Sequence, residues 1–295
     1  MIIVITGPTA LGKSKTAIEV AKTFDAEIIN GDAFQIYQEL DIGVAKPSQD
    51  ELSQVTHHLY SLIPVTDSFS IFTYQKLLRE KIAEILSRKK DVVIVGGSGL
   101  YIRSALYDYE FKESENNLDL SKYDNLSNIE LHDLLKKIDI DEANKIHVNN
   151  RKRIIRALTI YEENKINKTT LLSEQKHELI YKDTFFFVRD LDREKLYKRI
   201  NDRVDEMFAH GLLDEVKHLY NKYDHNLNCF KAIGYKELFS YLNNEISLED
   251  AIELIKKNSR NYAKRQMTFI RHQFPTIFYK NDEELISFIK EHKGE

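Results

Sequence analysis

The fold is decided by one stretch near the N-terminus, Gly7-Pro8-Thr9-Ala10-Leu11-Gly12-Lys13-Ser14. It fits the pattern G-x-x-x-x-G-K-[ST], follows an apolar run at positions 2–5 and precedes a helical pattern from Lys13 to Phe24. In such a loop, backbone N–H groups and the positive end of the helix face a phosphate, Lys13 reaches its oxygens, and the Ser14 hydroxyl suits Mg²⁺. These eight residues therefore predict a phosphate- or diphosphate-binding loop between a buried strand and a helix.

The composition is that of a globular protein with nearly balanced charge. Its 295 residues include 43 Lys and Arg against 47 Asp and Glu, which gives a net charge of −4. The one cysteine, Cys229, excludes an intrachain disulfide and fits a reducing compartment. Because the sequence has neither a leader-like N-terminus nor a long apolar segment, we expect a cytoplasmic protein that does not bind membranes. We also expect a monomer.

Polar residues follow two further predicted strands. The strand Ala26–Asn30 ends at Gly31-Asp32, and the strand 92–95 ends in a turn, Gly96–Tyr101, that contains Ser98. Ligands of open α/β sheets bind at the carboxyl ends of strands, so Asp32 and the phosphate-binding loop should face one crevice. At this stage Asp32 is a metal ligand, a general base or a turn residue. The turn at 96–101 is either a ligand site or a structural glycine turn.

Two groups of cations occur in helical segments. From 112 to 183 the sequence is polar and helical, which predicts an all-helical insertion into an α/β core formed by 1–111 and 184–295. Each group is either a solvated face or a surface for a phosphate backbone. The insertion carries Arg151, Lys152, Arg153 and Arg156, and a late helix capped by Ser247 carries Lys256, Lys257, Arg260, Lys264, Arg265 and Arg271.

The motifs, in this order, resemble those of the tRNA dimethylallyltransferase family over nearly the whole chain. The resemblance implies a P-loop kinase-like α/β fold, with helices on both faces of a parallel sheet and a helical insertion. It also implies transfer of a dimethylallyl group from dimethylallyl diphosphate to N6 of the adenosine beside the anticodon of tRNA, position 37. The matching motifs are Gly7 to Ser14, Asp32-x-x-Gln35, Asp41 to Pro47, His57-His58-Leu59, Gly96 to Tyr101, Arg153-x-x-Arg156-Ala157, Arg203-Val204-x-x-Met207, Ile233 to Glu237 and Tyr262 to Gln266.

The resemblance also implies roles for individual residues. Asp32 accepts a proton from the adenine amine, which Ser98 helps to orient, while the loop 7–14, Arg203 and Mg²⁺ on Ser14 stabilise the leaving diphosphate. The adenine must be flipped out of its stack, and Phe34 and Gln35 are expected to read it. The implied tRNA-binding residues are Asp32, Ala33, Phe34, Gln35, Ser98, Lys152, Arg153, Ile154, Ile155 and Arg156.

Five positions depart from the family pattern. Val44 and Ser98 stand where threonine is usual, Lys152 where glutamine is usual, and Phe269 where tryptophan is usual. Ala33 replaces a serine, which removes a hydrogen-bonding group beside the expected base. Ser98 keeps the hydroxyl but loses the methyl group that restrains its rotamer.

Three other functions fit part of the sequence. Phosphate-binding loops also bind ATP, so a small-molecule kinase would share the loop and Asp32, although it needs no basic patches. A prenyltransferase of free nucleotides would share the chemistry but not the need for RNA. A nucleotide-gated RNA-binding module would leave Asp32 and Ser98 without a role. Because no acidic residue follows the strand 92–95 to place Mg²⁺ and water, we expect no appreciable ATP hydrolysis.

Overall fold

The strand that precedes the phosphate-binding loop lies inside a six-stranded sheet. The computed structural model describes residues 1–109, 120–173 and 177–293. Every strand pairs in parallel, in the order β3-β2-β4-β1-β5-β6, so β1 is hydrogen-bonded on both sides. The strands are β1 (Ile2–Thr6), β2 (Ala26–Asn30), β3 (His57–His58), β4 (Asp91–Gly96), β5 (Thr184–Arg189) and β6 (Thr276–Tyr279).

Helices connect the strands and fill the rest of the described chain. Most begin at a polar cap; Ser127 and Ser247, for example, accept hydrogen bonds from the amides of Glu130 and Asp250, as the sequence predicts. The helices are α1 (Lys13–Phe24), α2 (Gln49–Leu52), α3 (Ile71–Ser87), α4 (Gly99–Leu106), α5 (Asn128–Ile138), α6 (Ile140–Lys145), α7 (Arg151–Asn164), α8 (Lys168–Ser173), α9 (Arg193–Ala209), α10 (Leu212–Lys222), α11 (Tyr235–Leu242), α12 (Leu248–Gln273) and α13 (Asp282–His292).

The sheet is apolar on both faces, as expected for parallel strands between helices. Ile3 and Ile5 pack with the buried side chains of α1 and α13. Alternate residues of a strand point to the opposite face, where Phe186 of β5 stacks on Phe274 at the end of α12. The predicted α/β class, with a parallel sheet and surrounding helices, is confirmed.

The C-terminal helices form a second core next to the loop that follows β2. Val204 of α9, Val216 of α10 and Leu238 of α11 belong to one buried cluster, which also contains Ile36 and Leu40. This packing fixes the segment after Asp32 against helices that lie far away in sequence.

A separate compact unit comprises residues 107–180. Its described residues form short helices around a small core that includes Leu131, Leu135 and Leu158. The core unit comprises 1–106 and 181–295, whereas the sequence places the junctions at 111/112 and 183/184. At the second junction, Asp183 belongs to the core because its carbonyl accepts the Ile2 amide at 2.8 Å. At the first, Tyr107 pairs with Leu179 inside the insertion. Residues 112–119 and 174–176 of the predicted insertion lie outside the described residues.

Other element boundaries differ by only a few residues. The sequence predicts a helix over Thr73–Lys89, whereas α3 covers Ile71–Ser87, because the Ser70 hydroxyl caps it by accepting the Thr73 amide at 3.0 Å. Among the described helices, none is sufficiently long and apolar to cross a membrane.

Candidate active site

The loop after β1 has the backbone conformation that its glycines allow. Gly7 has φ of +136° and Gly12, the N-cap of α1, has φ of +76°. A Cβ atom on Gly7 would lie 2.9 Å from the buried side chain of Leu11, so a larger residue does not fit there. Gly7 and Leu11 therefore shape the loop. Pro8 has no N–H to donate, and its carbonyl accepts a hydrogen bond from Lys13 Nζ at 2.6 Å.

The rest of this loop opens into a cavity of about 520 Å³ in the core unit. Burial and the nearby Arg203 lower the pKa of Lys13 to about 7, while Asp32 acts in the opposite direction. Two cations held together in this way gain stability when an anion binds beside them. The predicted diphosphate-binding residues that line the cavity are Thr9, Ala10, Gly12, Lys13, Ser14 and Arg203.

Asp32 lines the same cavity, two residues after the end of β2. Its amide donates to Asn30 Oδ1 at 2.8 Å, and its own Oδ1 accepts the Phe34 amide at 3.0 Å, so the backbone holds the side chain in a turn. Burial raises the pKa of Asp32, an effect that the Phe34 amide and the Lys13 ammonium partly offset. The two roles of Asp32 are therefore compatible. Its side chain caps a turn, and its raised pKa makes it a stronger base beside Lys13 and Arg203.

Ser98 links two neighbouring strand ends. Its hydroxyl accepts the Ala33 amide at 2.9 Å, and its own amide donates to the Gly31 carbonyl at 3.1 Å. The side chain is buried, with 9% of its surface exposed. These contacts make Ser98 a support for the segment that carries Asp32. The geometry also explains the glycine at 96, because a Cβ atom there would lie 2.1 Å from the Gly31 backbone.

Phe34 and Gln35 line the cavity beside Asp32. Gln35 Nε2 donates to the carbonyls of Val44 and Ala45, both at 3.0 Å. Both amide hydrogens are thus directed to the loop 41–47, which leaves the carbonyl oxygen of Gln35 as the atom that can accept from a base.

Several lining residues received no role in the sequence analysis. Some of them lie on α11 and α12, which reach the strand ends only after folding, so their position cannot be read from one sequence. One of them, Gln266, is buried, and its Nε2 donates to the Gly97 carbonyl at 2.9 Å. The lining residues concerned include Glu51, Tyr60, Lys231, Lys236, Tyr262 and Gln266.

The basic helix of the insertion, α7, presents only part of its cations to solvent. Lys152, Arg153 and Arg156 are exposed, whereas Arg151 donates to the carbonyls of Leu126, Tyr123 and Asp124 and therefore supports the fold of the insertion. Ile154, also predicted to contact tRNA, has a side chain that is fully buried in the core of the insertion. Ile155 is half-buried.

Two of the late cations on α12 have partners on α9. Lys256 is paired with Asp205 of α9 at 2.8 Å, and Arg260 donates to Asn201 at 2.6 Å. Arg265 faces the cavity. A charge run read along the chain misses partners that a neighbouring helix supplies.

A family model described as IPP transferase matches residues 35–273. The chain belongs to this family. It is 44% identical over 299 residues to the tRNA dimethylallyltransferase of Anoxybacillus flavithermus, in an alignment that covers 98% of this chain and 96% of that protein. The Bacillus subtilis protein of the same name is also 44% identical, with coverage of 94% and 90%. The resemblance inferred from the motifs is thus confirmed.

Solved structures agree with this membership of the IPP transferase family. The tRNA delta(2)-isopentenylpyrophosphate transferase of Staphylococcus epidermidis is 38% identical, with a TM-score of 0.73 and coverage of 99% of this chain and 97% of that chain. A eukaryotic dimethylallyltransferase described as acting on tRNA is 29% identical, with a TM-score of 0.81 and coverage of 99% and 77%. Both relatives share the fold of this chain.

Proposed function

We propose that this protein transfers the dimethylallyl group of dimethylallyl diphosphate to N6 of adenosine 37 in tRNA, with release of diphosphate. One observation carries the proposal: the base Asp32 and the cations Lys13 and Arg203 line one cavity. The names of the IPP transferase relatives supply the class of substrate.

The leaving group is stabilised by the loop and by Arg203. As the bond between C1 of the prenyl group and the diphosphate oxygen breaks, its electron pair passes to the diphosphate. Lys13, Arg203 and the N–H groups at the start of α1 lie where that negative charge develops. These groups are in place before the reaction, so little reorganisation is needed.

The residues also fit Mg²⁺, which prefers oxygen ligands and usually binds through one or two protein groups together with substrate phosphates. Ser14 lines the cavity next to Lys13, and we propose that its hydroxyl holds the ion together with the diphosphate. When bound, Mg²⁺ neutralises part of the charge on the leaving diphosphate.

Asp32 accepts the proton that the adenine amine must lose. As the new bond forms between N6 and the prenyl C1, the N6–H proton becomes acidic and passes to the carboxylate. Burial favours this transfer because it raises the pKa of Asp32. Phe34 and Gln35 lie beside Asp32, where a flipped base can stack and donate to the Gln35 carbonyl oxygen.

Exposed cations in the insertion hold the tRNA backbone. Lys152, Arg153 and Arg156 project from α7 near its N-terminal end, which itself favours phosphate. Ile155 lies on the same helix, and any contact of Ile154 with RNA is through its backbone.

We further propose that the protein works as a monomer in the cytoplasm. Light scattering at micromolar concentration tests the oligomeric state.

Product analysis tests the function and separates it from its rivals. The protein is incubated with Mg²⁺, dimethylallyl diphosphate and unmodified tRNA, and the nucleosides are analysed by mass spectrometry after digestion. We expect N6-dimethylallyladenosine at position 37, with the rate in Asp32→Asn lower by roughly 10²–10⁴-fold and tRNA affinity nearly unchanged. Prenylation of AMP at a comparable rate would identify a free-nucleotide prenyltransferase. Phosphate release from ATP that rises with tRNA would indicate the gated module, and phosphoryl transfer to a small molecule would indicate a kinase.

A further inference from the structure

Glu215, in the first turns of α10, binds a loop that is distant in sequence. One of its carboxylate oxygens accepts the amides of Asp41 at 3.2 Å and Ile42 at 2.7 Å. The other accepts the Gly43 amide at 3.1 Å and the Tyr235 hydroxyl at 2.6 Å. Three successive backbone N–H groups thus converge on a single carboxylate, the geometry of an anion-binding nest whose anion is supplied by the protein itself.

Tyr235 fits this arrangement because the loop has a glycine beside it. The Tyr235 side chain is fully buried, and a Cβ atom on Gly43 would lie 2.6 Å from its ring. Burial and the Glu215 carboxylate raise the pKa of Tyr235 well above its usual value, so the hydroxyl stays a donor. Glu215 of α10 and Tyr235 of α11 therefore both hold the loop in place.

The loop held by Glu215 and Tyr235 also lines the cavity. Gly43, Val44 and Lys46 are among the lining residues. The carbonyls of Val44 and Ala45 accept both amide hydrogens of Gln35, three residues after Asp32. A chain of hydrogen bonds thus leads from Glu215 through the loop 41–45 to the segment that carries the proton acceptor.

We infer that Glu215 is a positioning residue for the adenine acceptor: it holds the loop 41–45 so that Gln35 and Asp32 meet the base in the reactive geometry. This inference rests on the proposed function. Glu215 acts on the acceptor side because its hydrogen-bond chain ends at Gln35, whereas the diphosphate side is formed by Lys13 and Arg203 on other elements. Positioning errors of about 1 Å can lower a rate about 10²-fold.

The test compares Glu215→Gln with Asp214→Asn. A glutamine side chain keeps the shape but has one acceptor oxygen and an NH₂ group that faces donors. Asp214 is exposed on the same helix turn, so its substitution removes the same charge without touching the loop. We expect Glu215→Gln to lower kcat/KM for tRNA at least tenfold and to speed amide exchange at 41–43 at least tenfold. Binding of inorganic diphosphate with Mg²⁺, measured by calorimetry, should change less than twofold, and Asp214→Asn should change none of these.

Two further variants keep the test decisive. Tyr235→Phe removes one of the four hydrogen bonds, so its kcat/KM for tRNA should fall by only about two- to threefold. If Glu215→Gln does not fold, Glu215→Asp, which keeps the charge but shortens the reach, should show the same pattern. The inference is overturned if amide exchange speeds up while tRNA kinetics stay unchanged, or if diphosphate binding is lost to the same extent. If the wild-type protein does not prenylate tRNA, the proposed function fails, while exchange at 41–43 still reports whether Glu215 holds the loop.

Discussion

The Ser98 hydroxyl accepts a hydrogen bond from the Ala33 amide at 2.9 Å, and this contact joins the ends of β4 and β2. It places Ala33, the residue directly after Asp32, under the control of a turn 65 residues away. The Tyr262 hydroxyl of α12 also lies close to Ser98, so a third element contacts this junction of β4 and β2. Ala33 stands where the family usually has serine, and its backbone rather than its side chain supplies this link.

We therefore expect Ser98→Ala to lower the single-turnover prenylation rate about five- to tenfold, because one buried hydrogen bond that fixes the Asp32 segment is lost. Ser98→Thr keeps the hydroxyl and should retain nearly the wild-type rate. Affinity for inorganic diphosphate should stay unchanged in both variants, since the loop 7–14 is not altered. A large loss of diphosphate affinity in Ser98→Ala, or equal rates in the alanine and threonine variants, would contradict the positioning role.

Much of the fold could be predicted because its signals are local. The apolar run at 2–5 and the pattern of residues 7–14 predict β1, the loop and α1, and the Ser247 cap predicts the start of α12 within one residue. The short edge strand β6, four residues long, has no such signal and was not predicted.

The candidate site was less predictable because part of it depends on long-range contacts. Glu215 and Gly43 are 172 residues apart, and no local pattern relates them. Lys256 illustrates the same limit: its partner, Asp205, comes from another helix, and the run of cations on α12 does not reveal this pairing. Asp32 and Lys13, in contrast, follow parallel strands of one sheet, and topology alone predicts that they face a common crevice.

Lys13→Ala should weaken binding of dimethylallyl diphosphate at least tenfold, because its ammonium group lies at the phosphate-binding loop together with Arg203. Lys22→Ala is the matched control, since Lys22 belongs to the same helix but bonds to Gln54 at the surface. Calorimetry with the diphosphate substrate, in the presence of Mg²⁺, measures both variants. Equal affinities of Lys13→Ala and wild type would refute the assignment of the loop.

Glu27, on β2, gives a prediction for acid stability. Its buried carboxylate binds Arg88 and His58, and these partners lower its pKa to about 2, mainly through the Arg88 hydrogen bond. Because the pKa in the folded state lies below that in the unfolded state, this stabilisation is complete above about pH 4.5. It is lost as the pH falls towards 2. Urea unfolding of Glu27→Gln should show a free energy of unfolding about 1–2 kcal/mol below wild type at pH 7, a value reduced for the solvent exposure of Arg88.

The difference between Glu27→Gln and wild type should shrink between pH 4.5 and pH 2, because wild-type Glu27 becomes protonated as well. Glu84→Gln serves as the control: Glu84 also contacts Arg88 but is exposed, so its loss should have little effect at any pH. A difference that is constant with pH would mean that packing, and not the ion pair, determines the contribution of Glu27.

The last prediction concerns the RNA surface of the insertion. Arg153 and Arg156 are exposed on α7, and among the described residues the acidic neighbour of Arg156 is Glu163 at 3.9 Å. Each phosphate contact adds somewhat less than one unit to the slope of log affinity against log salt concentration. Replacing both arginines by glutamine should therefore reduce this slope for tRNA by about one to two units.

The matched control is Lys136→Gln with Lys137→Gln, which removes the same charge from α5, another exposed part of the insertion. Its slope should equal that of wild type if α7 is the phosphate-binding surface. Arg151 is unsuitable as a control, because its guanidinium supports the insertion through three backbone carbonyls and its loss would disturb the fold. Equal slopes for the Arg153 and Arg156 double variant and for wild type would remove α7 from the tRNA interface. The proposed prenyl transfer at Asp32 would be unaffected by that result, since the cavity lies wholly within the core unit.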